Sequence, residues 1–372
     1  MLRGVFQAAV VAVVVAFGLW LWNNLQTNAE TTNIPLSFDY LDQPADLTVP
    51  GNSFNQSQSV RDAIEVGFGN TIRVALAGIV LATMVGTLIG IARLSTNWLL
   101  SNLARAYVEI FRNVPLLILV VFSYSAVFLQ LPRLEETDTY GGVFIPSIRG
   151  VGIVWFTTDG RGWAILAVIV VAVAAMWGAH RWRAAVQDRT GDPARGARYA
   201  IAALVVTFGA GLAVLGFPLG FTTPELQGRR IVGGITMLPE YAALLFALVV
   251  YTASHIAEIV RGSIQAVPKG QTEAASALAL SGSQRMRLII LPQAMRIAVP
   301  ALGNQYLNLT KNSSLAVAIS YFELTKITQV SIANRAPAVP SYTLLLFLYL
   351  FLSLALSVLV NLANRRLRLV ER

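Results

Sequence analysis

Runs of apolar residues with almost no charge constrain this chain more than any other feature. They lie at residues 5–22, 66–92, 114–131, 163–179, 199–217, 241–260, 297–320 and 342–360. About 20 such residues in a helix cross a hydrocarbon layer of about 30 Å. Only 13% of the residues are charged, against about 25% in a usual soluble domain. A chain this apolar lacks the polar surface to cover itself in water. The expected fold is therefore all-α, a polytopic membrane protein with about eight transmembrane helices.

The first run has a rival reading as a signal peptide. Its only basic flank is Arg3 and no A-x-A-like cleavage site follows, so a retained helix is the better reading. Residues 23–65 are polar and acidic, with Glu30, Asp39, Asp42, Asp46, Asp62 and Glu65 against Arg61. They show no period and are expected to form a mostly extended external loop. Residues 97–112 alternate apolar and polar positions at helical spacing, as a short helix at the inner surface would.

The formal net charge is +9, which on a soluble protein would raise nucleic acid as a partner. Here most basic residues sit in short loops between apolar runs. Arg181, Arg183, Arg189, Arg195 and Arg198 follow the fourth run, and Arg365, Arg366, Arg368 and Arg372 form the tail. Retention of such loops on the inner side places both termini in the cytoplasm, and an even number of crossings agrees. The acids of residues 23–65 and 132–162, including Asp159, then fall outside. Nucleic acid is not an expected partner; membrane lipid is. Cysteine is absent, which excludes disulfides and thiolate metal sites. His180 and His255 are too few and too far apart for a metal centre.

Residues 251–300 carry the functional information. They read as a helix leaving the membrane, a helix–turn–helix at the inner surface, and a return. Pro268 and Gly270 break the chain, and residues 273–280 form a short alanine-rich helix. Ser281 and Gly282 supply a turn. Residues 284–291 form a second helix, stopped before Pro292. A slim exposed helix between breakers suits a groove in another protein.

At these residues the chain resembles the permeases of ABC importers, whose EAA loop reads E-A-A, three residues, G, nine residues, I-x-L-P. Glu273, Ala274 and Ala275 match, as do Ile289, Leu291 and Pro292 at the right spacing. Ala279 departs from the usual glycine, with Gly282 nearby as a substitute source of flexibility. Further matches are A-E-I-V-R-G at 257–262, V-P-K-G-Q at 267–271, Y-V-E-I-F-R-N-V-P-L-L at 107–117 and L-T-K-N-S-S-L at 309–315. These resemble the polar amino-acid branch. The extra helices and I-A-R-L-S-T-N-W-L at 91–99 narrow the likeness to general L-amino-acid permease subunits.

The resemblance implies a type I importer permease core with extra helices. Its expected parts are an N-terminal helix and external loop (1–65), core (66–131), inserted loops and helix pair (132–240), core with the EAA loop at 261–296 (241–364), and basic tail (365–372). It implies a second permease subunit, an ABC ATPase subunit, an external solute-binding protein and an amino-acid substrate in a bacterial inner membrane. The chain has no G-x-x-x-x-G-K-[ST], so no phosphate-cradling loop. It is not expected to be an enzyme or to hold a cofactor; ATP and Mg would sit on the partner ATPase. Gly270, Glu273, Ala274, Ala275, Ala279, Gly282, Leu291 and Pro292 are the expected coupling residues. Glu273 either caps its helix or pairs with a basic group of the ATPase.

Polar residues within a membrane segment tend to face protein or water. Asn304, Asn308, Lys311, Asn312, Ser313 and Ser314 in the seventh run are therefore candidates for the solute path, against packing between helices. Glu258 and Arg261 read as an i, i+3 ion pair, Arg112 as a lipid anchor and His255 as a packing residue. A gradient-driven carrier would need internal repeats and a buried acid near mid-membrane, and neither stands out. A membrane enzyme would need a nucleophile with its base or metal-ligand spacing, and a purely structural scaffold would not need an EAA loop.

Overall fold

In the computed structural model, residues 2–32, 35–157, 162–190, 196–216 and 220–367 are described. Asp159, Arg195 and the tail arginines Arg368 and Arg372 lie outside them. The chain divides into two compact units. One holds residues 1–127 and 240–372, the other residues 128–239.

Among the described residues all eight apolar runs are mainly helical. In the first unit α1 (Leu2–Thr31), α2 (Val60–Ala92), α7 (Pro239–Gln265) and α12 (Ala338–Leu367) hold the first, second, sixth and eighth. The seventh lies in α10 (Leu291–Asn312) and a 3-10 segment through Ile319. Five helical stretches among the described residues are long and apolar enough to cross a membrane. The third run makes a sixth if α3 (Trp98–Asn113) and the stretch Leu116–Gln130, bent by 101°, count as one span. The bend follows from Pro115, which keeps Val114 extended at φ −86° and ψ 128°. The first part of that stretch is α4 (Leu116–Phe122).

Helix α2 organises the first unit. Ser59 caps it: the hydroxyl accepts from the Asp62 N–H at 3.1 Å, and the Asp62 carboxylate accepts from the Ser59 N–H at 3.1 Å. Gly78, Ala82, Gly86 and Gly90 repeat every four residues along one buried stripe. A Cβ at Gly86 would stand 2.7 Å from Ile256, and one at Gly90 2.8 Å from the Ala257 carbonyl. Small residues thus let the α2 and α7 backbones approach closely, the usual basis of helix packing in lipid. Gly78 of the same stripe meets Leu309 of α10, and Gly67 meets Ile327 of α11 (Leu324–Ala333).

Residues 23–65 are not the mostly extended loop expected: the first of them continue α1 to Thr31, the last open α2 at Val60, and the part between is packed. Tyr40, Ala45, Leu47, Val49, Phe54 and Val60 are buried in one cluster with Ala63 and Ile327. Asn334 donates to the Asp46 carbonyl at 2.8 Å. The strict alternation Ala45, Leu47, Val49 buries one side of an extended strip. It is too short to stand out among so many polar neighbours.

The second unit pairs α5 (Gly162–Thr190) with α6 (Gly196–Val214) and adds short strands. An antiparallel sheet joins β1 (Phe144–Ser147), β2 (Gly150–Ile153) and β7 (Ile235–Met237), with Pro146 opposite Val151 and Gly152 opposite Thr236. Two small ribbons join β3 (Trp155–Thr157) to β4 (Gly220–Thr222), and β5 (Glu225–Gln227) to β6 (Arg230–Val232). These strands of three or four residues qualify the all-α expectation without displacing it. None is long enough to write a period of two into the sequence.

Candidate functional site

The break after α7 is built as the sequence suggests, with its boundaries moved. Pro268 (φ −57°, ψ 138°) starts α8 (Lys269–Ala277), which begins four residues earlier than expected. Glu273 therefore lies in the second turn, exposed, and caps nothing. That removes the capping role and leaves Glu273 as a surface carboxylate.

Helix α8 ends in a Schellman arrangement. The Leu280 N–H donates to the Ala275 carbonyl at 3.1 Å and the Ala279 N–H to the Ser276 carbonyl at 2.9 Å. This geometry puts Ala279 at φ +52°, the left-handed region that favours glycine. Ala279 itself makes the bend. Gly282 does not stand in for it, because Gly282 is the first residue of α9 (Gly282–Arg285) and Ser281 is its cap.

Pro292 does not stop a helix. Residues Met286–Ile290 form a π turn that closes with the Leu291 N–H on the Met286 carbonyl, and α10 continues from there. A proline in the first turn of a helix lacks only an N–H that would have no partner anyway. The wide turn shifts the hydrogen-bond ladder, so the chain passes Leu291 and Pro292 unbroken.

The exposed face of the loop holds Gly270, Glu273, Ala274, Ala279, Gly282, Leu291 and Pro292. Ala275 is only 2% exposed and packs inward, so of the E-A-A triplet Glu273 and Ala274 alone face outward. Leu278, 73% exposed, stands beside them. Gln293 donates to Gln271 at 3.3 Å and Arg285 to the Ser276 hydroxyl at 3.3 Å. These bonds tether α8 to α10 and α9 respectively.

The seventh-run candidates separate into two groups. Asn304, Asn308 and Lys311 are exposed at helical spacing on one face of α10. Asn312 is half-buried. Ser313 and Ser314 are turned to their own backbone, donating to the carbonyls of Thr310 at 2.7 Å and Lys311 at 2.8 Å. The structure brings the first three together and removes the two serines from a shared polar face.

Glu258 is more than one half of a local pair. It accepts from Arg261 and also from Arg93 at the end of α2, and Arg112 stands 3.9 Å away. The glutamate is 27% exposed and Arg93 13%. One carboxylate thus joins α2 to α7, with α3 close by. The reading of Arg112 as a lipid anchor missed this neighbour. His255 rests on Tyr251, ring centres 4.6 Å apart, one turn back on its own helix.

Sequence reasoning missed Glu323. It is fully buried, caps α11 by accepting from the Lys326 N–H at 3.0 Å, and accepts from the Tyr349 hydroxyl at 2.7 Å. Burial pushes its carboxyl above the usual range, although hydrogen bonds from the Thr325 and Lys326 backbone and from Tyr349 oppose the shift. A cap residue before a helical pattern was the available signal.

Comparisons with known proteins agree with this architecture. Residues 240–369 match the family described as binding-protein-dependent transport system inner membrane component. The chain is 38% identical to the general L-amino acid transport system permease protein AapQ of Rhizobium johnstonii, over 99% of this chain and 92% of AapQ. It is 37% identical to the putative amino-acid ABC transporter permease protein YhdX of Escherichia coli, over 99% and 94%. It is 36% identical to the glutamate/glutamine/aspartate/asparagine transport system permease protein BztB of Rhodobacter capsulatus, over 98% and 93%. A crystal structure of an amino acid ABC transporter with histidines shares the fold, with a TM-score of 0.50 and 19% identity over 82% of this chain and 94% of that one. This chain belongs to the inner membrane components of binding-protein-dependent transport systems, as a multi-pass permease of the polar amino-acid branch of ABC transporters.

Proposed function

We propose that this chain carries L-amino acids into the cell, driven by ATP hydrolysis on a separate subunit that docks on α8 and the turn at Ala279. The observation that carries the reading is the form of that loop. A nine-residue helix with Glu273, Ala274 and Leu278 exposed is held between Pro268 and a left-handed residue, and tethered to the next helix. Its small side chains leave room for a groove, Leu278 supplies an apolar anchor, and Glu273 supplies charge for a basic partner. ATP and Mg belong to that partner. An external solute-binding protein delivers the amino acid, and a second, related permease subunit completes the path. In this reading both termini are cytoplasmic, and residues 66–131 and 241–364 form the core around an insertion at 132–240. The polar face of Asn304, Asn308 and Lys311 borders the path, where Lys311 suits the substrate carboxylate.

Single cysteines test the docking surface cleanly, because the chain has none of its own. Ala274→Cys and Ala277→Cys present exposed thiols, and Ser53→Cys serves as a control on the other side. A short thiol-to-amine crosslinker in native membranes is expected to capture an ATPase with a phosphate-binding loop from the first two and not from Ser53. If neither loop position reaches an ATPase while the cells still import amino acids, the coupling assignment fails.

A further inference from the structure

Helix α2 carries a polar stripe that packing does not explain. Asp62, Glu65, Gly69 and Arg73 fall on one face of a helix whose one other charged residue, Arg61, is paired with Asp42. Arg73 lies between Ile72 and Val74, inside a stretch long and apolar enough to span a membrane, yet its side chain is exposed. It joins no ion pair among the described residues. A guanidinium facing hydrocarbon alone is costly, so such residues face water, protein or a ligand.

The stripe forms one wall of a cleft of about 410 Å³, within the usual range of small-molecule sites. The opposite wall is the folded segment before α2, with Asn52 and Gln58. Gly69 opens the cleft, since a Cβ there would meet nothing within 4 Å. Arg73 is aimed along the helix by Asn70, whose Oδ1 accepts from it at 3.4 Å while its Nδ2 donates to the Phe322 carbonyl at 2.8 Å. Asp62 is occupied by Ser59. Glu65 is exposed and makes no hydrogen bond among the described residues, so it is the available carboxylate.

We propose that this cleft binds the zwitterionic head of a free amino acid, with Arg73 on its carboxylate and Glu65 on its ammonium. The proposal rests on the importer reading and adds a site apart from the polar face of α10. Glu65 and Arg73 are separated by about 12 Å along the helix axis. Both side chains lean towards the N-terminus, and the longer arginine closes part of that distance. A zwitterion with a hydrogen bond of about 2.9 Å at each end fills the remainder. Opposite charges at the two ends of a concave site suit one small dipolar solute.

The full chain in lipid nanodiscs, without other subunits, is tested for equilibrium binding of a radiolabelled mixture of L-amino acids. Uptake of the same mixture is measured in cells carrying the whole transporter. Wild type is expected to bind, with competition by glycine but not by propionate or ethylamine, each of which has only one pole. Arg73→Gln and Gly69→Leu are expected to weaken binding at least tenfold and to raise the KM for uptake, while Arg73→Lys keeps part of the affinity. Gly69→Leu fills open space, so its loss of binding reports occupancy of the cleft. If wild-type cells import amino acids and both variants do so with unchanged KM and binding, the cleft proposal alone fails. It also fails if purified wild type binds no free amino acid and the variants slow only delivery from the binding protein. If wild-type cells import no amino acid, the importer reading falls first.

Discussion

Replacing Gly86 with alanine tests whether the α2–α7 seam is as close as its geometry implies. The added Cβ would stand 2.7 Å from Cβ and from Cγ2 of Ile256, and 2.8 Å from the Ala253 carbonyl oxygen. Favourable contacts between carbon atoms lie at about 3.5–4.0 Å. Two of these obstacles are backbone or branch-point atoms, so no rotamer change relieves them, and the helices must part by about 1 Å. Overpacking of this kind costs about 1–3 kcal/mol. The same exchange gains about 0.8–1.0 kcal/mol of helix propensity, which would mask part of the cost. Gly262→Ala supplies the correction, because Gly262 is on α7 with nothing within 4 Å of its added Cβ. Equilibrium unfolding of both variants in mixed micelles should therefore show Gly86→Ala less stable than Gly262→Ala by about 1–3 kcal/mol. Equal stability would refute the close seam, and with it the claim that small residues set the approach of these helices.

Three further outcomes follow from the same structure. Ala279→Gly removes a left-handed alanine that costs about 1–2 kcal/mol and adds about 0.5–1 kcal/mol of glycine entropy. Hydrogen exchange at residues 279 and 280 should slow by about twofold to fivefold, the local opening equilibrium being what protection reports. Glu258→Gln strips the carboxylate shared by Arg93 and Arg261 and should lower stability by about 1–3 kcal/mol in micelle unfolding. Replacing Glu258 and Arg93 together by methionine should recover part of that loss, because Arg93, the more buried of the two guanidiniums left without a carboxylate, is then gone, while Arg261 still donates to Gln265. Burial raises the folded-state pKa of Glu323, so the stability tied to it is complete below the unfolded value of about 4.3 and is lost as pH rises through the folded value. Glu323→Gln should flatten that slope, its advantage over wild type growing with pH above about 4.3; parallel stability curves would contradict it.

Legibility in the sequence tracked the range of the interactions involved. Hydropathy is summed over 18 or more consecutive residues, so the runs that became α1, α2, α7, α10 and α12 stood out. The alanine-rich helix between Pro268 and Ala279 was legible for a similar reason, since breakers and helix formers act on their immediate neighbours. The motif at Glu273, Ala274 and Ala275 located the loop but not which of the three faces outward. That depends on the helix starting at Lys269, one turn earlier than its composition suggests. Pro292 misled because the rule that proline ends helices assumes an unbroken ladder. A π turn before it changes the register.

What the sequence determined by itself is the class of the molecule: apolar length demands a membrane, basic loops imply an inner side, and the EAA loop names the family. Tertiary structure alone decided which polar residues matter together. Glu258 meets Arg93 from 165 residues away, and Ala45, Leu47 and Val49 are buried against Ile327 of a distant helix. Arg73 and Glu65 share a cleft only because the segment before α2 folds back over them. Such pairings join positions far apart in the chain through close packing at glycines such as Gly67 and Gly86. Local composition carries no record of which helix will arrive at that distance.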